Sequence, residues 1–382
     1  MTDHTSHLAL KLGRAMNRLS QFVYENCLPK PAIRQEPWHE RRSPKSVIVF
    51  GRHPNPTTDY YFSGRFAYLQ DLNFQLADIR SKDLRHLEPE SALVIFCRYA
   101  SASAIRWVEE NEKELSGVVL FLDDDIPAVV TGHDASLQYR IFLCYRALLL
   151  LPRLRRFLDA VWVSTQRLGE SLGGVEFEVM PPAPHPKFWC VDRREPSSRD
   201  NVLIAYHATG VHYSEHRFLQ PVIAETLKNR PNVHFEVFAD RRASKVWVGM
   251  DRVTVRRPIG WADYLAESNE RQIDIMLVPL CDSEVNACRA QTKRIDVVRH
   301  GAAAIFSRSH AYGTSSASGE IILKNDQSLW IENIDVLVGD RLKRASTAEA
   351  TRNIVQSMAE EGVRRRTSCE PWLSGDNTRS ST

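Results

Sequence analysis

The sequence predicts an α/β protein with two parallel-sheet domains facing each other across a cleft, and three observations predict it. Continuous apolar runs of strand length (SVIVF at 46–50, ALVIFC at 92–97, GVVLFL at 117–122) alternate with segments of helical period. Runs of this kind suit strands buried on both faces, as in a parallel sheet covered by helices. The rhythm breaks at the proline-rich MPPAPHPKFWCVDRREPSSR (180–199) and restarts with NVLIAYH (201–207) and HFEVFA (234–239). A chain of 382 residues can also bury two cores of ordinary size.

Residues 1–45 read as a helical and basic appendage. Leu8, Leu12, Ala15, Leu19, Phe22 and Val23 fall near helical spacing, with Lys11, Arg14 and Arg18 between them. A basic amphipathic helix either packs on its own domain or lies on an anionic membrane face. Residues 46–184 read as the N-terminal domain. Its first strand leads into the polar and aromatic loop GRHPNPTTDYYFSGR, and a helix is predicted over 102–114. The strand at 117–122 stops at Asp123-Asp124-Asp125. Residues 137–158 read as an apolar, basic helix interrupted at Pro152, and AVWVST (160–165) opens a Ser/Thr-capped helix at 166–172.

Residues 185–200 read as the linker, and 201–345 as the C-terminal domain. There, helices are predicted at 214–227 and 261–267, and strands at 234–239, 253–257 and 273–278. The stretch IMLVPLCDSEVNACRAQTKRIDVVRHG (275–301) reads as a strand, a polar loop and one helix ending at Gly301. Strands at 302–307 and 320–324 and a helix at 327–338 follow. A last helix, 346–363, can cross back to the N-terminal domain, and 364–382 reads as a disordered polar tail.

Composition narrows the function classes. Hydrophobic content of 43% and charged content of 25% are those of a globular protein. No apolar run reaches the roughly 18–20 residues that span a bilayer. MTDHTSHLALKLG lacks the features of a signal peptide, and the seven cysteines are scattered. These features predict a cytoplasmic protein with reduced thiols. LLLLPRLRRFL (148–158) offers peripheral contact with the inner face of a membrane, or else a buried helix with a basic edge. A net charge of +3 gives no footprint for nucleic acid.

Ligands of parallel sheets bind beyond the carboxyl ends of the strands, which selects the loops at 51–65, 98–101, 123–135, 207–216, 239–244 and 279–290. Arg289 and Lys293, read as one helical turn apart, can clamp phosphate oxygens. Asn286 can cap that helix or meet a ligand. The turn with His207, Thr209 and Gly210 lets backbone approach a phosphate. Arg241 can hold a diphosphate or base, or belong to a solvated charge cluster. Asp123–Asp125 admits three readings: a catalytic or acceptor-orienting carboxylate, with Asp124 and Asp125 as candidates; an Asp-x-Asp metal site; or a helix cap. His53, Asp59, Tyr60, Arg65 and Arg98 can line an acceptor cleft. Neither first-strand turn reads G-x-G-x-x-G, which argues against a dinucleotide oxidoreductase.

Several motifs occur in the order known from one enzyme group. FLDDDIP resembles its strand-ending acidic motif, LDAVWVSTQRLGESL the strand and capped helix that close its N-terminal domain, and VMPPAPHPKFW its linker. IAYHATGVHYSEHRFLQPVIAETL resembles the first strand, turn and helix of its donor domain, and PIGWADYLAESNERQIDIMLVPL the passage before the donor site. Asn286, Lys293 and Asp296 match an Asn…Lys…Glu pattern in register. Over residues 46–360 the chain thus resembles a GT-B glycosyltransferase of a divergent branch of the retaining family 4. The resemblance implies transfer of a sugar from a nucleotide diphosphate donor to a glycan or lipid-linked acceptor, with no cofactor beyond the nucleotide sugar and no obligatory metal. It also implies Lys293 as a catalytic cation, and lets Asp296 accept from a ribose diol. Two departures stand out: Asp296 is one methylene shorter than the usual Glu, and Cys288 stands where better-known members carry a second Glu.

Overall fold

The apolar runs fold as two six-stranded sheets in a computed structural model that describes residues 23–24, 27–35, 43–67, 72–190, 201–208, 211–316 and 318–364. Thr209 and Gly210, most of the predicted appendage, residues 191–200 of the linker and the tail from 365 lie outside the described residues. The first sheet holds β1 (Ser46–Gly51), β2 (Asn73–Asp78), β3 (Ala92–Cys97), β4 (Gly117–Leu122), β5 (Ala160–Val163) and β6 (Glu178–Val179), in the order β2-β1-β3-β4-β5-β6. The second holds β7 (Val202–His207), β8 (Val233–Phe238), β9 (Val253–Arg256), β10 (Ile275–Val278), β11 (Ala303–Ser307) and β12 (Ile321–Leu323), in the order β12-β11-β10-β7-β8-β9. Every neighbouring pair is parallel. β1, β3 and β4 are buried along their whole length, as their unbroken apolar sequences require.

The strand order reverses between β1 and β3 in one sheet and between β7 and β10 in the other. These switch points open the crevices in which such sheets bind ligands.

After β1, most of the predicted loop 51–65 is instead helical, with short helices Pro56–Thr58 and Gly64–Phe66 around a π-helical Asp59–Ser63. The further helices of the first half are α1 (Ala102–Asn111), α2 (Ile126–Thr131), α3 (Leu137–Leu143), α4 (Leu151–Leu154) and α5 (Gln166–Ser171). Those of the second are α6 (Tyr213–Asn229), α7 (Trp261–Glu270), α8 (Glu284–Ala287), α9 (Lys293–Arg299), α10 (Gln327–Gly339) and α11 (Arg341–Arg364). Ser101, Thr165, Ser283 and Asp326 cap α1, α5, α8 and α10, each accepting from a backbone N–H three residues on.

Two predicted helices differ. Residues 137–158 form α3, a π-helical segment Cys144–Leu148 and α4, and Pro152 sits in the first turn of α4, where its missing N–H costs nothing. The single helix expected through 286–296 is two, α8 and α9, with 288–292 irregular between them. Arg289 and Lys293 are therefore not neighbours on one helical face.

The two halves share an apolar cluster. Ile295 and Val298 of α9 and Val355, Met358 and Ala359 of α11 belong to the same cluster as Tyr61, Phe62 and Trp162 of the first half. α11 comes so close that a Cβ on Gly362 would stand 2.4 Å from the Ala183 side chain. Arg65 fastens this contact. It is 1% exposed and donates to the carbonyls of Tyr61 (3.3 Å), Pro181 (2.7 Å) and Gly362 (2.9 Å). An arginine committed to three buried carbonyls does not line an acceptor cleft, which corrects the expectation for Arg65.

Candidate functional site

The carboxyl ends of β1, β3 and β4 bring Thr57, Arg98 and Asp123–Asp125 together. Arg98 follows β3 with φ of +66°, a left-handed conformation that costs a side-chain-bearing residue about 1–3 kcal/mol. Its N–H is held on the Phe121 carbonyl at 2.8 Å. Its guanidinium meets Asp124, lies 3.0 Å from Asp123 and donates to the Thr57 hydroxyl at 3.2 Å. Thr57 in turn donates to Asp123 at 2.9 Å.

The three adjacent carboxylates have three different environments. Asp125 caps α2, accepting from the Ala128 N–H at 3.0 Å, and accepts from the Tyr24 hydroxyl at 2.8 Å. Of the three sequence readings, this residue takes the helix cap, so it does not act as a free catalytic carboxylate. Asp124 is buried and paired with Arg98 and, across the domains, with Arg289. Burial pushes its pKa up, but Arg289 and Arg98 outweigh that and hold it below the ordinary value. Asp123 moves the other way: burial raises its pKa, with the Asp124 charge adding, against the pull of Arg98.

From the second half, the loop 288–292 reaches into this cluster. The Thr165 hydroxyl donates to the Cys288 carbonyl at 3.0 Å, and Arg289 Nη1 reaches Asp124. Nε and Nη2 of Arg289 are buried and make no hydrogen bond. Cys288 itself is 1% exposed and packs in the core of the first half. Beside the loop lies a cavity of about 560 Å³ lined in part by Thr165, Arg289, Gln291, Arg294 and Tyr312. A second, of about 530 Å³, lies between His133 and Asp134 on one side and Ser214, Asp282 and Asn286 on the other.

At the β7/β10 switch point, His212 opens α6 with its ring nitrogen 3.6 Å from the buried Glu215. Glu215 accepts from the Cys281 N–H at 3.0 Å and from the Asn286 amide at 2.6 Å. Although burial raises its pKa, His212 and the Cys281 N–H lower it to about 2. Asn286 also donates to the Cys281 carbonyl at 2.8 Å. Its amide nitrogen thus braces the loop. His207 is buried, stacks on Phe238 at 4.1 Å and meets Glu236 at 3.0 Å. It underlies the crevice, and burial lowers its pKa.

Lys293 and Asp296 form the (i, i+3) pair at 2.7 Å, and Asp296 also accepts from the buried Tyr60 hydroxyl of the first half. Asp59 accepts from Trp261 at 2.6 Å. His53 approaches the Val49 carbonyl at 3.2 Å, and burial lowers its pKa. Arg241 is exposed, while its neighbour Arg242 covers the Tyr213 ring at 3.7 Å and donates to the His133 carbonyl at 2.8 Å. The structure therefore brings Arg98, Asp124 and Arg289 together, with Tyr60 and Asp296 in a separate contact. Thr57, Thr165 and Glu215 were not singled out from sequence. The Ser/Thr cap before 166–172 marked Thr165, but nothing marked its reach to Cys288.

No family model and no curated protein matches the sequence. Among solved structures, the chain is similar to a glycosyltransferase from Rickettsia africae ESF-5, at 9% identity over 88% of this chain and 100% of that one, TM-score 0.54. It is similar to Anabaena Alr3699/HepE in complex with UDP and glucose, at 10% identity over 85% and 100%, TM-score 0.53. A third is an α,α-trehalose-phosphate synthase (UDP-forming) from Burkholderia vietnamiensis, at 9% identity over 85% and 99%, TM-score 0.52. The fold is GT-B. In the GT-B frame the Asp123–Asp125 loop and the 279–292 loop face each other across the domains. Of the readings offered for Asp123–Asp125, the Asp-x-Asp pair is not left open: Asp123 meets a guanidinium and Asp125 a helix N-terminus.

Proposed function

We propose that the protein is a glycosyltransferase moving a hexose-like sugar from a nucleotide diphosphate donor to a glycan or lipid-linked acceptor, in the synthesis of a cell-surface polysaccharide or glycoconjugate. One observation carries the reading: cations from both halves, Arg98 and Arg289, converge on one buried carboxylate at the mouth of a GT-B cleft. Two guanidiniums fixed in a site of low dielectric suit the charge that develops on a departing diphosphate. In this reading the diphosphate completes the unpaired Nε and Nη2 of Arg289. Lys293 adds a further cation, and the start of α6 after His212 adds backbone donors.

Asp123, with its raised pKa, is the carboxylate best suited to take a proton from an acceptor hydroxyl, while Asp124 stays ionised as the partner of the arginines. His53 and Asp59 belong to the acceptor side, and Arg241 to the base side of the donor. Retention of configuration follows the family-4 resemblance, and the site of action is the cytoplasmic face of a membrane. The ligands of Alr3699/HepE, UDP and glucose, support a nucleotide-sugar donor for this chain as well.

A second reading, a nucleotide-sugar-binding protein without turnover, is favoured by the buried Cys288 and by the engagement of Arg289 and Asp296 with the first half. Calorimetry with UDP, GDP and dTDP tests both. The expected outcome is binding of one nucleotide, weakened on the order of tenfold by Lys293→Ala. No binding of any of the three to the wild type at millimolar concentration would sink the donor site. Binding without sugar transfer or donor hydrolysis selects the second reading.

A further inference from the structure

Residues 136–158 carry Arg140, Arg146, Arg153, Arg155 and Arg156 and no acidic residue. In the fold they form α3, the π-helical Cys144–Leu148 and α4, and one face of this segment is unpartnered among the described residues. Leu137, Ile141, Tyr145 and Leu149 recur every fourth residue and are 69%, 60%, 55% and 71% exposed. Steps of four drift around an α-helix, and the wider π turn at 144–148 offsets part of that drift. Exposed Pro152, Arg155 and Arg156 follow directly.

Arg146 lies over the Tyr145 ring, and among the described residues only Arg153 of the five arginines forms an ion pair, with Glu109 at 2.5 Å. The apolar pair Leu329 and Val336 on α10 is 39% and 46% exposed and sits among Glu332 and Asp335, so it lacks this basic flank. Charge and shape together fit one partner. Large apolar side chains on an arginine-rich segment that has no carboxylate of its own suit the boundary between acyl chains and anionic headgroups.

The segment also starts at the cleft. Ala135 lines the 530 Å³ cavity, and the Tyr139 hydroxyl stands 3.3 Å from that of Tyr99, the neighbour of Arg98. We propose that the α3–α4 face is an interfacial docking surface that seats the protein on anionic bilayers beside its acceptor side. Docking is read without donor or acceptor, so it stands or falls separately from the transferase reading.

The test is co-flotation of the full chain with vesicles of phosphatidylcholine plus phosphatidylglycerol, against phosphatidylcholine alone. The wild type should float with the anionic vesicles only, and added salt should weaken binding. Ile141→Asp/Leu149→Asp, at exposed sites, should keep the wild-type circular dichroism and lose binding on the order of tenfold or more. Tyr145→Trp should show a blue-shifted emission on anionic vesicles. Three results overturn the proposal: no flotation of the wild type, undiminished flotation of the double Asp variant, or a dimer by sedimentation that the same variant dissociates.

Discussion

Two seams join the halves of this molecule, and they are built from different materials. On the linker side the seam is apolar, with Ile295, Val298, Val355 and Met358 packed in one cluster with Phe62 and Trp162. The polar groups that cross it are paired and mostly uncharged on one side: Arg65 meets three carbonyls, Tyr60 meets Asp296 and Trp261 meets Asp59, while the Trp162 indole and the Tyr61 hydroxyl of the same cluster are buried without a hydrogen bond. On the cleft side the seam is charged and incompletely matched. Nε and Nη2 of Arg289, Nδ1 of His212 and Oε2 of Glu215 are buried without a hydrogen bond, and Arg98 holds a left-handed backbone. Burial without partners costs stability, and folds tolerate it chiefly where function requires it. The comparison teaches a division of labour: one seam sets the relative position of the sheets, and the other keeps charges ready to change partners.

The strongest way to break this comparison is Arg65→Ala. It leaves three buried carbonyls without their charged donor, and should cost about 3–5 kcal/mol in denaturant melts. A cost below about 1 kcal/mol would show that the linker-side seam does not hold the halves together.

Acid probes one buried group on each seam. Burial lowers the pKa of His300, beside Tyr264 on the linker side, from 6.5 to about 3. A depressed histidine is neutral in the fold and protonates more readily when unfolded, so its stabilisation is present above pH 6.5 and lost as pH falls toward 3. Glu215 on the cleft side is lowered from 4.5 to about 2, so its stabilisation is lost only as pH falls from 4.5 toward 2. Urea melts from pH 8 to pH 3 should show stability declining from about pH 6.5 and more steeply below 4.5. His300→Gln should lessen the decline below pH 6.5, which His207 and His53 also carry, and Glu215→Gln should lessen the steeper decline below 4.5.

How much of this was legible depends on whether a feature is local. Strands buried on both faces announce themselves as apolar runs, and β1, β3, β4, β7 and β11 lie within a residue of their predicted bounds. β2 (NFQLAD) is an edge strand with four of its six residues partly or fully exposed before Ala77, so it carries no such run and was not predicted. The break between α8 and α9 was hidden for another reason. The Cys288 carbonyl goes to Thr165 in the other half, and a spacing argument assumes a regular helix until a tertiary bond interrupts it. Arg65 misled in the same way, because Pro181 and Gly362 reach it from more than 100 residues away. Asp124 shows the converse. Its type and place at a strand end were readable, but its two arginines come from separate elements.

The smallest expected change in stability is the most informative for the cleft. Arg289→Gln removes one of two guanidiniums from Asp124 and leaves Arg98 in place, so the melt should shift by about 1 kcal/mol or less. The same variant should weaken nucleotide binding on the order of tenfold, since a bidentate cation for a diphosphate has no amide equivalent. Stability and binding would then respond in opposite order to Arg65→Ala, which should weaken folding and spare affinity in the folded fraction. If Arg289→Gln instead costs as much as Arg65→Ala and leaves nucleotide affinity unchanged, Arg289 is a second structural clasp, and the diphosphate has to be sought at Lys293 and the turn ahead of α6.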